Sequence, residues 1–338
     1  MKKTEILSSP VPRLIDRYRR HLNYLRVSIT DRCDLRCLYC KPDGLIPKLS
    51  HEDVLTYEEI LRLIRIAVSL GITKVRITGG EPLVRQGVCD FLSQLCRIDG
   101  ITDVSLTTNG FQLAKYLPRL KDAGVHRLNI SLDTLDPEKY RKITGVDGFR
   151  QVWSAIELAR ELGFSPIKIN AVALKGYNDD ELVDMARLSI SQPFHIRFIE
   201  YMPIGTANMR KGDYLHTADI KRRLAELGPL LPVKRGTLDG PAERFRFAGA
   251  EGEVGFISAM SNHFCDACNR LRLSASGKLR SCLMSDKQKD LRPVLRQGGS
   301  DEDLVRVFLA SVHAKPARHH LTDPKGTRVN SQMSSIGG

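Results

Sequence analysis

The sequence predicts an α/β protein built on a run of parallel strands, and three observations predict it. Six strand-like segments alternate with amphipathic helical segments between Tyr24 and Tyr201, and such alternation implies right-handed parallel crossovers. Glycines stand at the ends of the helical segments, at Gly71, Gly124 and Gly163, where helices commonly stop. Candidate chemical residues fall where strands give way to loops, the place open α/β folds reserve for chemistry. Six units are too few to close an eight-stranded barrel.

Residues 1–22 read as an N-terminal arm, polar and proline-containing, then basic. Tyr24–Ile29 alternates as a strand. Thr56 precedes a periodic helical segment to Leu70, with Glu59 at the third helical position, so the pair predicts a capping box. Strands follow at 74–78, 103–107, 127–132, 167–174 and 195–201, with helices at 88–97, 113–123, 149–162 and 181–189. After Met202-Pro203-Ile204-Gly205 the rhythm breaks. The segment 217–227 looks helical, short strand-like pieces occur at 244–247, 254–257, 271–274 and 279–283, and a late helix covers 301–314. The tail from Lys315 is polar and basic and is expected to be mobile. The domain plan is an arm (1–22), a strand–helix domain (23–205), a C-terminal region carrying a second cysteine group (206–325), and a tail (326–338).

A chain of 338 residues is long enough for a large core and one or two domains. It contains no run of eighteen apolar residues, so no transmembrane span is expected. Its start lacks the apolar core of a secretory signal. Eight cysteines in this length do not make a disulfide scaffold, and a reducing cytoplasm is the expected compartment. Cys89 and Cys96, seven apart on one helix, read as small packing residues. The formal charge is +13 from 52 basic and 39 acidic residues, which suits nucleic acid, acidic lipid or a polyphosphate. There is no long basic run, and aromatics are only 6% of residues. Nucleic-acid binding is therefore not expected, and an anionic small molecule is.

The remaining six cysteines form two groups. Cys33, Cys37 and Cys40 read C-x3-C-x2-C on the loop after the first strand. Three thiolates are one short of the four that usually close an iron–sulfur cube, which leaves one iron free to bind something else. A zinc site with a distant fourth ligand, or a disulfide remnant, would use the same residues. Cys265, Cys268 and Cys282 read C-x2-C-x13-C, for which a zinc knuckle completed by a histidine such as His263 is the alternative. Between them, Arg270 and Arg272 share one face of a strand-like stretch, and paired guanidiniums suit a phosphate or carboxylate. A pair of surface arginines is the plainer reading. Gly79-Gly80-Glu81-Pro82 follows the second strand, where a glycine pair permits close backbone approach.

The first cysteine pattern, with Tyr39 between its last two cysteines and Gly-Gly-Glu-Pro some forty residues on, resembles the radical S-adenosylmethionine superfamily. That resemblance implies an incomplete (β/α)6 TIM-like barrel over about 23–205, with a C-terminal cluster-binding extension. From Tyr24 to Gly338 the chain resembles, more narrowly, the GTP 3′,8-cyclase family of molybdenum-cofactor biosynthesis. The likeness rests on Thr78–Pro82, Thr-Thr-Asn-Gly at 107–110, Ser131-Leu132-Asp133, Gly240-Pro241-Ala242, Cys-Asn-Arg-Leu-Arg at 268–272, Cys282 and the terminal Gly-Gly. Asp34 departs from a frequent asparagine.

The narrower resemblance implies roles. Cys33, Cys37 and Cys40 would hold one [4Fe-4S] cluster, and Cys265, Cys268 and Cys282 a second. Tyr39, Gly80, Ser131 and Met202 would contact S-adenosylmethionine. Arg26, Arg76, Thr107, Lys168, Arg270, Leu271 and Arg272 would contact GTP, and the terminal Gly337-Gly338 would enter the site. Cyclic pyranopterin monophosphate synthase would act next. The reductant and the oligomeric state, a homodimer included, are left open. Two other readings stay in view: a peptide-modifying radical enzyme with an auxiliary cluster, and a zinc-stabilised nucleotide or nucleic-acid binder.

Overall fold

In a computed structural model of the chain, residues 13–40, 48–205, 214–234, 236, 240–321, 323 and 329–337 are described. Gly338 and residues 1–12 of the expected arm lie outside them. Six parallel strands run in chain order: β1 (Tyr24–Ser28), β2 (Lys74–Thr78), β3 (Asp103–Thr108), β4 (Arg127–Ser131), β5 (Ile167–Ala173) and β6 (Phe194–Glu200). The later strands are β7 (Leu231–Pro232), β8 (Glu243–Arg246), β9 (Glu253–Ile257), β10 (Arg270–Leu273), β11 (Lys278–Arg280) and β12 (Gln288–Asp290). They extend the same sheet at both ends, in the order β12-β11-β10-β1-β2-β3-β4-β5-β6-β9-β8-β7. The β10 strand joins β1 in parallel and β9 joins β6 in parallel, and each is backed by antiparallel neighbours. The sheet is mixed and does not close into a barrel, which is the incomplete TIM-like form.

Helices α1 (Tyr57–Ser69), α2 (Val88–Cys96), α3 (Leu113–Asp122), α4 (Pro137–Thr144), α5 (Phe149–Glu161) and α6 (Leu182–Ser191) connect the first six strands. Helices α7 (Thr217–Leu224), α8 (Arg292–Arg296), α9 (Asp301–His313) and α10 (Met333–Ile336) belong to the second half. The capping box at α1 is present in both directions, with Thr56 accepting from the Glu59 amide and Glu59 accepting from the Thr56 amide. No helix among the described residues is long and apolar enough to cross a membrane.

Strand parity explains where the site lies. Leu25 and Val27 of β1, Val75 and Ile77 of β2, and Leu271 and Leu273 of β10 join one hydrophobic core. The alternate positions, Tyr24 and Arg26, Lys74 and Arg76, and Arg270 and Arg272, face the other way. All five residues of β2, Lys-Val-Arg-Ile-Thr, are nonetheless buried. The strands are therefore covered on both faces, apolar toward the helices and cationic toward the concave side.

Three placements bear on the expectations above. Leu271 places its side chain in the core, fully buried, because it alternates with the two arginines that flank it. Lys168 is the second residue of β5, near its N-terminal end. The chain end does not run free. Val329 bridges to Ile204, and Ile336 packs with both in a small apolar cluster. The polar look of the segment hid these few apolar anchors.

Candidate active site

The first cysteine set sits on the loop leaving β1, at the C-terminal ends of the parallel strands. The second set lies at the other end. Cys265 and Cys268 precede β10, which runs parallel to β1, and Cys282 follows the antiparallel β11. A cavity of about 230 Å³ is lined by Cys265, Cys268 and Cys282 and by Arg26, Arg76, Arg197, Arg270 and Arg272. A second cavity of about 140 Å³ is lined by Cys33, Cys37 and Cys40 with Gly79, Gly80 and Glu81. Tyr39, Thr107, Ser131 and Met333 line both, so the two spaces adjoin. Met202 lines the larger one.

Backbone and side-chain contacts hold the first cysteine loop against its neighbours. A Cβ on Gly80 would lie 2.2 Å from the Arg32 carbonyl oxygen, and one on Gly79 would lie 2.9 Å from that of Thr30. The glycine pair therefore lets β2 end against the loop, and Gly80 N–H donates to Thr30 O at 2.7 Å. Glu81, fully buried, accepts from Thr108 Oγ1 at 2.9 Å and from the Asn109 amide at 2.7 Å. Asn109 Nδ2 in turn reaches Asp34 at 2.7 Å and Cys33 Sγ at 3.7 Å. The Gly-Gly-Glu-Pro and Thr-Thr-Asn-Gly runs are thus one hydrogen-bonded unit beneath Cys33. Burial raises the Glu81 carboxyl to about 7 against three hydrogen bonds that favour its anion. Tyr39 Oη donates to Asp133 at 2.7 Å, and burial raises Asp133 to about 6.

Register brings the substrate candidates together. Arg26 on β1 stands level with Arg272 on β10 and with Arg76 on β2, and Tyr24 stands level with Arg270 and Lys74. Two adjacent inward layers thus carry five cations. Burial, partly offset by Tyr24, pulls Arg26 down to about 10, with Arg76 and Arg270 adding to the fall. Burial together with Arg197, Arg127, Arg76 and Lys74 pulls Lys168 down to about 5. Lys168 is buried beside the cavity wall and is not among the residues that line the cavity. Among the described residues, Thr107 Oγ1, Asn170 Oδ1 and Tyr24 Oη are buried side-chain atoms of the cavity wall with no hydrogen-bond partner. Buried polar atoms are normally paired, so these await a polar ligand.

Strand parity also supplies cavity residues that sequence reading missed: Tyr24 two positions before Arg26, and Arg197 of β6; Lys74, two before Arg76, is buried behind them in an ion pair with Asp103 at 2.8 Å. The signal was available in the i, i+2 spacing. The chain end reaches the site as well. Gly337 at φ +72° lies against Ser28 and Thr78 at the ends of β1 and β2, and Arg272 donates to the Gly337 carbonyl.

Both cysteine sets fit iron–sulfur ligation. Cys33 Sγ accepts from the Leu35 amide at 3.5 Å, and Cys268 Sγ accepts from Lys315 at 3.4 Å. N–H donors aimed at sulfur stabilise ligating thiolates. Among the described residues no three His, Cys, Asp or Glu side chains converge on a single-ion site. Each set of three sulfurs instead borders a cavity.

The fold and this site define a radical S-adenosylmethionine enzyme. The Radical SAM superfamily profile matches residues 27–189, and the Molybdenum Cofactor Synthesis C profile matches 194–321. The chain belongs to the GTP 3′,8-cyclase family. It is 50% identical over 329 residues to the GTP 3′,8-cyclase of Heliobacterium modesticaldum, covering 96% of this chain and 100% of that one. It is 48% identical over 323 residues to that of Moorella thermoacetica, covering 96% and 99%. Among solved structures, Streptococcus suis SuiB bound to S-adenosylmethionine superposes with a TM-score of 0.60 at 17% identity, over 89% of this chain and 68% of that one. That likeness concerns the fold alone.

Proposed function

We propose that this chain is a radical S-adenosylmethionine GTP 3′,8-cyclase, converting GTP to 3′,8-cyclo-7,8-dihydro-GTP in molybdenum-cofactor biosynthesis. The observation that carries the reading is the cation-walled cavity lying between two cysteine triplets. Cys33, Cys37 and Cys40 would hold one [4Fe-4S] cluster and Cys265, Cys268 and Cys282 another. The first, when bound with S-adenosylmethionine, supplies the single-electron chemistry that creates a hydrogen-abstracting radical, and the protein aims it at C3′ of the ribose.

The residues of the chain do the positioning. Tyr39, Gly80, Ser131 and Met202 border the space for S-adenosylmethionine beside the first triplet. Arg26, Arg76, Arg270 and Arg272 meet the triphosphate with forked, permanently charged groups, and Lys168 adds charge behind them. Thr107 lies where the two spaces meet and is assigned to the ribose side. Leu271 contributes only through its backbone. The guanine faces the second triplet, so the reacting C3′ and C8 are held between the two cysteine sets. Enclosure between strand faces excludes water from a reactive radical. The product is the substrate for cyclic pyranopterin monophosphate synthase.

The test is anaerobic reconstitution with iron and sulfide, followed by dithionite, S-adenosylmethionine and GTP. About eight irons per chain are expected from two four-iron clusters, with 5′-deoxyadenosine formed only when GTP is present. About four irons, or 5′-deoxyadenosine formation indifferent to GTP, would reject the two-cluster cyclase reading.

A further inference from the structure

The N-terminal arm and the segment after α9 have no part in the mechanism above, yet both end on the second cysteine set. Arg20 is buried. Its Nε pairs with the fully buried Asp16 side chain at 2.5 Å. Its Nη1 donates to the Cys265 carbonyl at 2.7 Å and to that of Ala317 at 2.9 Å, and its Nη2 donates to that of Pro316 at 2.6 Å. Two residues before Ala317, Lys315 is 2% exposed. Its ammonium donates to Cys268 Sγ at 3.4 Å, to Arg270 O at 3.0 Å and to Ser281 O, the carbonyl preceding Cys282, at 2.5 Å.

These contacts reach all three cysteines. Arg20 holds the backbone of Cys265, Lys315 meets the sulfur of Cys268, and Lys315 anchors the approach to Cys282. Among the described residues Lys315 has no carboxylate within ion-pair distance, and its ammonium is bonded to the sulfur of Cys268 and to the carbonyl that precedes Cys282. A buried cation without a counter-anion is costly. The site therefore calls for negative charge at those sulfurs.

We propose that Lys315, braced by Arg20, is the fixed counter-cation of the second cluster: it bonds one ligating sulfur and favours the more negative, reduced state. Lys315 is a positioning residue, because it acts through Cys268 and touches neither substrate nor reacting atoms. The inference rests on the two-cluster reading. A positive charge and an N–H···S bond both raise the reduction potential of an iron–sulfur cluster, whereas Arg20, whose charge is paired with Asp16 and whose other bonds go to backbone carbonyls, should on removal loosen the loop and leave the potential of any retained cluster nearly unchanged.

The experiment uses the full chain with Cys33, Cys37 and Cys40 changed to Ala, so that only the second set is loaded. Lys315→Met, Lys315→Arg and Arg20→Met are added separately. Each protein is reconstituted anaerobically, its iron is counted, and it is titrated with dithionite while electron paramagnetic resonance is recorded. Lys315→Met should titrate at a lower potential than its parent, with Lys315→Arg restoring most of the shift. Loss of iron in Lys315→Met that Lys315→Arg prevents would equally support a charge requirement. An unchanged potential in iron-loaded Lys315→Met overturns the proposal, and so does equal iron loss in both Lys315 variants. A parent that binds no iron would reject the two-cluster reading itself, and the proposal with it.

Discussion

Replacing Lys168 with Met should make the empty protein more stable and the GTP complex weaker. Lys168 is 5% exposed, and burial together with Arg197, Arg127, Arg76 and Lys74 holds it at about 5, against an ordinary value of 10.5. At pH 7 the folded protein keeps it neutral while the unfolded chain charges it, a difference on the order of 5 kcal/mol against folding. The folded state binds fewer protons than the unfolded between pH 5 and 10.5, so stability from this site rises with pH through that window. A triphosphate reverses the local field and lets the amine charge. GTP binding near neutral pH should therefore take up close to one proton, and affinity should fall by up to about tenfold per pH unit from this site. Calorimetric titration of GTP in two buffers of different ionisation heat measures the uptake directly. Lys168→Met should abolish it, weaken binding, and raise the melting temperature of the nucleotide-free protein while flattening its pH dependence. GTP binding without proton uptake, or with the same uptake in Lys168→Met, would refute the reasoning.

Gly80→Ala puts a Cβ 2.2 Å from the Arg32 carbonyl oxygen, and backbone cannot yield cheaply; a loss of about 2 kcal/mol or more is expected. Iron analysis should show the first set emptied and the second retained. Tyr24→Phe removes a buried hydroxyl that has no partner among the described residues. Thermal stability should hold or rise slightly, while GTP affinity measured by equilibrium dialysis should fall about tenfold through loss of a charge-assisted hydrogen bond. Gly337→Ala forces a side chain onto φ +72° with its Cβ 2.5 Å from Thr78 Oγ1, costing about 1–2 kcal/mol of docking. Carboxypeptidase should then remove the chain end faster, with the iron content unchanged.

Much of the core was legible because its signals are local. The α1 capping box, the spacing of the first six strands and the same-face placement of Arg270 and Arg272 all follow from neighbours in sequence. Helix α4 escaped because Pro-Glu-Lys-Tyr-Arg-Lys-Ile-Thr buries only two apolar side chains, Tyr140 and Ile143, beside Thr144, although Asp136, Pro137 and Gly145 mark its ends. Strand β12, Gln-Lys-Asp, is wholly exposed and carries no apolar alternation to read. The cysteine triplets were visible as spacing, but their places at opposite ends of the strands depend on β10 joining β1. No local pattern announces a pairing between residues so far apart. The same pairing sets Arg272 level with Arg26, which the resemblance could imply and the spacing could not. Within Arg270-Leu271-Arg272, alternation sends the middle side chain into the core and leaves only its backbone to the cavity side.

The placement of β9 and β10 at the two margins of the six-strand run bears on how the protein is made. The backbone of β1 leaves the ribosome early, but the β10 partner of Tyr24 follows about 250 residues later, a wait of roughly 10–50 s at ordinary translation speeds. Throughout that interval the β1 margin is a raw strand edge, and from the end of β6 at Glu200 until β9 begins at Glu253 the other margin is one too, with apolar side chains behind them, the condition most prone to mispairing. The second half of the chain is therefore a late-arriving guard for the first as well as the carrier of three cysteines. Splitting the gene between residues 205 and 253 should yield an N-terminal fragment that aggregates when expressed alone and stays in solution when its other half is supplied with it.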